Sequence, residues 1–384
     1  MLARTGETGV AAAPPAAGDR PPKVAIVHYW LVGMRGGEKV VEALCRLYPD
    51  ADIFTHVLVP ERTSEALKKH RITTSFINRL PFAPRLYQRY LPLMPLALEQ
   101  LDLRGYDLII SSESGPAKGI IPPPGSLHVC YCHSPMRYIW NMFHEYRDRS
   151  GLLTRLLMPL LAHYIRNWDA VSAGRVDHFI ANSQTVATRI RRYYRREAEV
   201  IFPPVDVDAF DVLPPDELGD FHLMAGELVR YKRPELAVQA FNESGDRLIV
   251  IGGGEMLGEL RKIARPNVTV MGPQPFSVLK DHYARCRALV FPGEEDFGIV
   301  PVEAMASGRP VVAYGKGGAT ETVVDGVTGV FFETQSVAAI RDAVERLKTL
   351  DLDPAGIAAH ARRFSAEVFA ARIQGHIAGL MAEH

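Results

Sequence analysis

Short apolar runs, each closed by a glycine or proline turn and followed by a stretch of helical periodicity, recur along most of the chain. The first is KVAIVHYW, beginning at Lys23. An unbroken apolar run of this length is typical of a strand buried on both faces. GMRGGEKVVEALCRLYP follows, a glycine turn that gives way to Val40, Val41, Leu44 and Leu47 at helical spacing. DLIISSES, LHVCYCHSP and EVIFPPVD read as further strands. RVDHFIANSQ reads as a strand that runs into the helix TVATRIRRYY. Alternating strands and helices imply a parallel sheet covered on both faces.

The pattern breaks at PPVDVDAFDVLPPDELGD, a proline- and aspartate-rich linker over 203–220. FHLMAGEL then opens a second series, continued by RLIVIGGGE, NVTVMGP, ALVFPGEE, PVVAYGKGG and GVFFE. The last segment is a helix: Ser365 is placed to cap it, and Phe369, Ile373, Ile377 and Leu380 share one stripe. The expected fold class is therefore α/β, with two Rossmann-like, doubly wound domains over 23–205 and 206–364. A helix over 365–384 is expected to pack back toward the first domain. In such sheets ligands sit beyond the carboxyl ends of the strands, so two facing edges make a cleft.

Residues 1–22 are rich in Ala, Pro and Gly without a continuous apolar core, which reads as a disordered tail rather than a signal peptide. No apolar run of about 18 residues is present, so no spanning helix is expected. Four scattered cysteines give no disulfide framework and suit a reducing, cytoplasmic compartment. Basic and acidic residues balance at 44 each, yet 26 basic and 18 acidic residues precede position 206, and 18 and 26 follow it. A basic half suggests contact with something anionic.

EEDFGIVPVEAMASG (294–308) carries the most informative chemistry. It predicts a loop and then a helix from about Ile299 to Ser307, with Gly298 beside the helix start. Free backbone N–H groups there favour an anion. Glu295 on the loop and Glu303 in the helix are acceptor-only groups suited to sugar hydroxyls. Anion and polyol sites together describe a nucleotide sugar. The plainer reading is a solvated Glu303 and a Glu295 favoured by the helix dipole.

This stretch resembles the E-x7-E signature of retaining GT-B glycosyltransferases of family 4. RGGEKV, CHSPMRYIW, ANSQTVATRI, GELVRYKRPELAVQAF, IGGGE, MGPQP and GGATETVVDGVTGVFF resemble further segments of that family in the same order, over residues 23–380. The resemblance implies an N-terminal acceptor domain and a C-terminal donor domain. It implies that Glu303 binds ribose hydroxyls, that Glu295 contacts the donor hexose, and that backbone amides at Phe297, Gly298 and Ile299 serve hexose and phosphate. Lys232 would stabilise the diphosphate, Gly36 and Gly37 would admit it closely, and His133 would face the reacting sugar; His133, Glu295 and Lys232 form the expected catalytic set. The family has an arginine directly after the glycine of Gly226-Glu227-Leu228, where this chain has an acid. Arg230 or Arg233 is the candidate replacement.

GGGEMLG (252–258) fails as a dinucleotide fingerprint, because Leu257 stands where its third glycine belongs. Asp206-Val207-Asp208 lies in the linker, and His133 beside Cys130 and Cys132 lacks a fourth ligand at metal-site spacing. No metal and no cofactor are expected. The implied partners are a nucleoside-diphosphate sugar donor and a glycan or lipid-linked saccharide acceptor. INRLPFAPRLYQRYLPLMPLALEQ (77–100) and RIRRYYRRE are two basic, aromatic surfaces without a nucleic-acid-binding motif. An anionic membrane face is the better match. The branch resembled builds bacterial surface polysaccharide, which implies a mannosyl donor, GDP-mannose. A UDP-sugar donor, or a nucleotide-sugar-binding protein that has lost transfer, is the alternative.

Overall fold

The computed structural model describes residues 20–384. The expected tail therefore lies outside the described residues up to position 19. The first sheet has seven parallel strands: β1 (Val24–His28), β2 (Asp52–Thr55), β3 (Ile72–Thr74), β4 (Leu108–Glu113), β5 (Leu127–Cys132), β6 (His178–Ala181) and β7 (Ala198–Val200). Their order is β3-β2-β1-β4-β5-β6-β7. The second has β8 (His222–Ala225), β9 (Leu248–Ile251), β10 (Val268–Gly272), β11 (Leu289–Phe291), β12 (Val311–Tyr314) and β13 (Gly329–Phe332), in the order β10-β9-β8-β11-β12-β13. Both orders reverse beside their first strand, and this switch point is where a doubly wound sheet opens a crevice.

Apolar side chains pack on both faces of each sheet. Val24, Ile26, Leu108, Ile110, Val129 and Tyr131 meet the helix Gly36–Leu47 through Val40, Val41 and Leu44. Phe369, Ile373 and Ile377 of the final helix, Ala366–Glu383, belong to this same cluster. The last helix thus leaves the second sheet and closes over the first. Ser365 caps it by accepting from Val368 N, at 3.3 Å. The crossing is double: Val205 N donates to Phe364 O at 2.9 Å, where the chain leaves the first sheet and later returns.

Behind the ends of β4 and β5 lies a fully buried charge cluster. Lys118 Nζ donates to Glu113 at 2.7 Å and to Asp169. Asp169 also accepts from Trp140 Nε1 and the Tyr194 hydroxyl, at 2.7 and 2.9 Å. Glu113 accepts from the Ala117 and Lys118 amides. Burial works against the charge on Lys118, but the two carboxylates more than offset it and hold the amine protonated. The cluster joins a strand end, the loop after it, the loop carrying Trp140 and two helices.

The basic surface expected around RIRRYYRRE is only partly free. In the helix Gln184–Tyr194 and just beyond it, Arg191 pairs with Glu197 at 2.5 Å, and Arg196 donates to the carbonyls of Ala173 and Asp177. Tyr193 stacks on Trp140, and Tyr194 is buried. Half of that cluster is structural, since a guanidinium satisfying helix-end carbonyls is not available to a lipid headgroup.

Removing one member of a buried ion cluster leaves uncompensated charge. Lys118→Met is expected to lower the unfolding free energy by about 3–5 kcal/mol in a denaturant titration, and a loss under about 1 kcal/mol would contradict this role.

Candidate functional site

The carboxyl edges of the two sheets face one another across a cavity of about 440 Å³. From the first lobe it is lined by Tyr29, Gly36, Gly37, His133, Arg137 and Tyr138, and from the second by Tyr231, Glu295, Asp296, Phe297, Gly298 and Ile299. Two helices begin here. One opens at Gly36, where Glu38 accepts from the Arg35 amide at 3.0 Å. The other, Ile299–Ala306, opens after Gly298, whose φ of +86° favours glycine. The two N-termini touch: a methyl placed on Gly36 would lie 3.0 Å from Ile299 Cδ1. Free amides and two helix dipoles therefore point into one hollow, which suits an anion.

His133 sits on the first-lobe wall just past β5. Its amide donates to Glu113 O at 2.7 Å. Its Nε2 lies 2.8 Å from Ser112 Oγ, which lies 3.2 Å from His28 Nδ1. His28 Nε2 is buried, with the Glu38 carboxylate 4.0 Å away. Burial holds His133 at about 4 and His28 at about 3, so both imidazoles are neutral near pH 7. Gly37 makes this packing possible. A side chain there would meet the Tyr29 hydroxyl at 2.6 Å and His133 Nε2 at 3.7 Å.

On the opposite wall Lys232 pairs with Glu295 at 2.9 Å. Burial opposes the charge on Lys232, while Glu295 and Tyr231 raise its pKa, so it stays cationic. Glu303 is buried, accepts from the Tyr283 hydroxyl at 3.0 Å, and faces Lys39 of the first lobe at 3.9 Å. Burial pushes the Glu303 carboxyl up, and Lys39 and Tyr283 partly offset this. Phe297 contributes backbone only, because its ring packs on Phe202 and Phe364. Gly318 N donates to Glu295 O at 2.8 Å and seats the loop from behind.

Lys232 and Glu303 do not line the cavity, although Lys232 pairs with Glu295, which does, and Glu303 lies on the helix that begins at Ile299; His133, Gly36, Gly37, Glu295 and residues 297–299 line it directly. Arg230 and Arg233 do not line it. Arg230 reaches away to Glu259 at 2.9 Å, and Arg233 pairs with Glu235 at 2.8 Å. The second cation comes from the other lobe instead. Arg137 lies over the Tyr231 ring, 5.3 Å from its centre, and 3.4 Å from Asp296. Asp296 also takes Arg189, which in turn donates to Ser134 at 3.1 Å. Arg137 was visible in HSPMRYIW, but no local spacing ties it to Tyr231, about a hundred residues away. Among the described residues no group of three or more His, Cys, Asp or Glu is arranged to hold a metal ion.

Two family models adjoin along the chain: Glycosyltransferase Family 4 over residues 34–209 and Glycosyl transferases group 1 over 208–364. The chain belongs to glycosyltransferase family 4.

The human alpha-1,3/1,6-mannosyltransferase ALG2 is 26% identical over 296 residues, covering 65% of this chain and 67% of that protein. The D-inositol 3-phosphate glycosyltransferase of Segniliparus rotundus is 31% identical over half of each chain. The matched stretch covers 67% of the human ALG2 relative and 50% of the Segniliparus one. Among solved structures, the Anabaena protein HepE in complex with UDP and glucose superposes with a TM-score of 0.67 at 17% identity, covering 93% of this chain and 100% of that one. The sucrose-phosphate synthase of Thermosynechococcus elongatus gives 0.68 at 20%, covering 95% and 100%. The fold is GT-B.

The neutral histidines give the enzyme a defined acid response. Burial holds His56, His128, His133 and His222 at about 4, and His28 at about 3. Unfolded imidazoles take up protons below about 6.5, so the unfolded state binds more protons down to about pH 4. Stability is present above that window and is lost as pH falls through it. The melting temperature should decline continuously between about pH 6.5 and 4.5, and a flat profile there would contradict the buried, neutral assignment.

Proposed function

We propose that this glycosyltransferase moves mannose from GDP-mannose to a lipid-linked saccharide, with retention of anomeric configuration, in the assembly of a surface polysaccharide. The observation that carries the reading is the meeting of two helix N-termini at one cavity flanked by Lys232, Glu295 and Glu303. The amides and Lys232 suit the diphosphate, and the two carboxylates suit hydroxyls of ribose and hexose. Glu303 keeps one oxygen on Tyr283, which leaves the other, near Lys39, to accept from a diol. The mannosyl choice is supported by the names of the ALG2 relatives.

In the transfer step the bond from the anomeric carbon to the diphosphate oxygen breaks, and its electron pair leaves with the diphosphate. An acceptor hydroxyl forms the new bond from the same face, and its proton passes to the departing phosphate oxygen. Fixed positive groups in a water-poor cleft stabilise the developing charge. Lys232, the converging amides and Arg137 would supply that charge without a metal ion. Neutral His133, held by Ser112, would position the hexose at the reacting face.

The acceptor belongs to the first lobe. A second hollow, of about 400 Å³, opens beside the start of the Gly36 helix and is lined by Trp30, Met34, Arg35, Glu38, Arg62 and Tyr87. Aromatic faces with charged hydrogen-bonding groups suit a saccharide. No described helix is long and apolar enough to cross a membrane. A cytoplasmic site of action, peripheral to the membrane that carries the acceptor, accommodates the four buried free cysteines.

Lys232→Ala and Glu303→Ala are each expected to weaken GDP-mannose binding by roughly tenfold or more in calorimetry, the scale of a lost charged hydrogen bond. Unchanged affinity in both would remove the donor assignment. His133→Ala should keep the affinity and lose transfer; undiminished turnover would exclude its role. Transfer should persist in excess EDTA, and its abolition, with rescue by a divalent cation, would overturn the metal-free reading.

A further inference from the structure

The helix Leu152–Ser172 carries an unusual surface. Leu152, Leu153, Leu156 and Leu160 are each more than 70% exposed, and Leu157 and Leu161 more than 40%. They fall at i, i+4, i+8 and at i+1, i+5, i+9. At about 100° per residue these two ridges spread over about half of the helix circumference. Its C-terminal half is anchored: Ala162 and Ile165 pack with Met136, Ile139 and Leu91, and Asp169 holds Lys118. The first turns stand clear of the body. Soluble surfaces rarely leave so much contiguous apolar area open without a partner.

Charge identifies the partner. Arg155 stands exposed beside the leucine face on the same helix, and residues 150–168 contain no acid, whereas Arg166 is spent inside the protein on the Ile139 carbonyl. The neighbouring segment 77–98, joined to the helix root through Leu91, carries exposed Arg79, Arg85 and Arg89, again with no acid. It adds exposed Phe82 and Leu96. The nearest preceding acid, Asp148, is held by Arg147 at 3.0 Å. A protein groove would cover one narrow stripe and leave the other ridge in water. A lipid phase surrounds a protruding helix and wets half its circumference, while headgroup phosphates meet the arginines.

We propose that the N-terminal half of the Leu152–Ser172 helix inserts into the surface of an anionic phospholipid bilayer and docks the enzyme there. This deepens the proposed lipid-linked acceptor, and rests on it only for its biological sense. Met136 and Ile139 at the helix root belong to the same loop as Arg137 and Tyr138, which line the cavity. Docking through this helix therefore places the acceptor side of the cleft next to the bilayer.

The test is co-sedimentation of the full chain with vesicles of phosphatidylcholine alone and of phosphatidylcholine with 30 mol% phosphatidylglycerol, that fraction being roughly the anionic content that gives a usable surface potential. Wild type should bind the anionic vesicles, more weakly at high salt, and bind the neutral ones less. Leu156→Asp with Leu160→Asp alters exposed positions only and should lower the bound fraction about tenfold or more, since it removes inserted apolar area. Arg85→Ser with Arg89→Ser should reduce the preference for phosphatidylglycerol. An unchanged melting temperature and unchanged GDP-mannose affinity in these variants separate this claim from the donor assignment. Equal vesicle binding by wild type and the leucine variant would overturn it. So would a lipid-free wild-type dimer in sedimentation velocity that the leucine variant makes monomeric, because the ridge would then be a self-association surface.

Discussion

The double crossing between the two lobes is the constraint on which the rest depends. Val205 leaves the first sheet against Phe364, where the chain comes back. Phe202, Phe297 and Phe364 pack together at this point, with ring centres 5.2–5.6 Å apart. Phe297 belongs to the loop that bears Glu295, so the same contact that fixes the hinge also fixes the loop. Two independent domains on a flexible linker would not bring their helix N-termini within van der Waals reach. Here the hinge packing does so, and the cavity charge follows.

Charge complementarity between the lobes accounts for part of the asymmetry along the chain. Cations of the first half meet acids of the second across the cleft: Arg137 and Arg189 on Asp296, and Lys39 facing Glu303. Glu321 accepts from the Gln184 and Thr185 amides at 2.6 and 3.0 Å, and so serves as an acid at the start of a first-lobe helix. The basic half therefore has an anionic partner within the molecule. Part of the remaining basic excess, Arg79, Arg85, Arg89 and Arg155, lies on 77–98 and the Leu152 helix, away from these pairs. Internal and external roles of the same charge class separate by position.

The fold was legible because buried parallel strands leave an unbroken apolar run and a glycine turn, as at VAIVH and LIVIG. The strands β2 and β3, which complete one side of the first sheet, were not, since DIFT and ITT are short and partly polar. The helix start at Ile299 was readable from Gly298 and the apolar run after it. The missing arginine at Glu227 invited a replacement nearby in sequence, and proximity along the chain misled: Arg230 and Arg233 have acids of their own within hydrogen-bond reach. The arginine that does line the cavity, Arg137, comes from the opposite lobe, which no one-dimensional spacing encodes. The leucine ridge escaped for a related reason. In GLLTRLLMPLLAHY the periodicity of a core helix and that of an outward-facing one are identical, and only the packing tells which side is wet.

The central claim is that one ligand is held jointly by the two helix N-termini. Hydrogen–deuterium exchange of the full chain with and without saturating GDP-mannose tests it most directly. The account predicts that amides of residues 36–40 and of 295–303 gain protection together on binding. Protection confined to one lobe, or located away from both segments while the nucleotide sugar is bound, would contradict it.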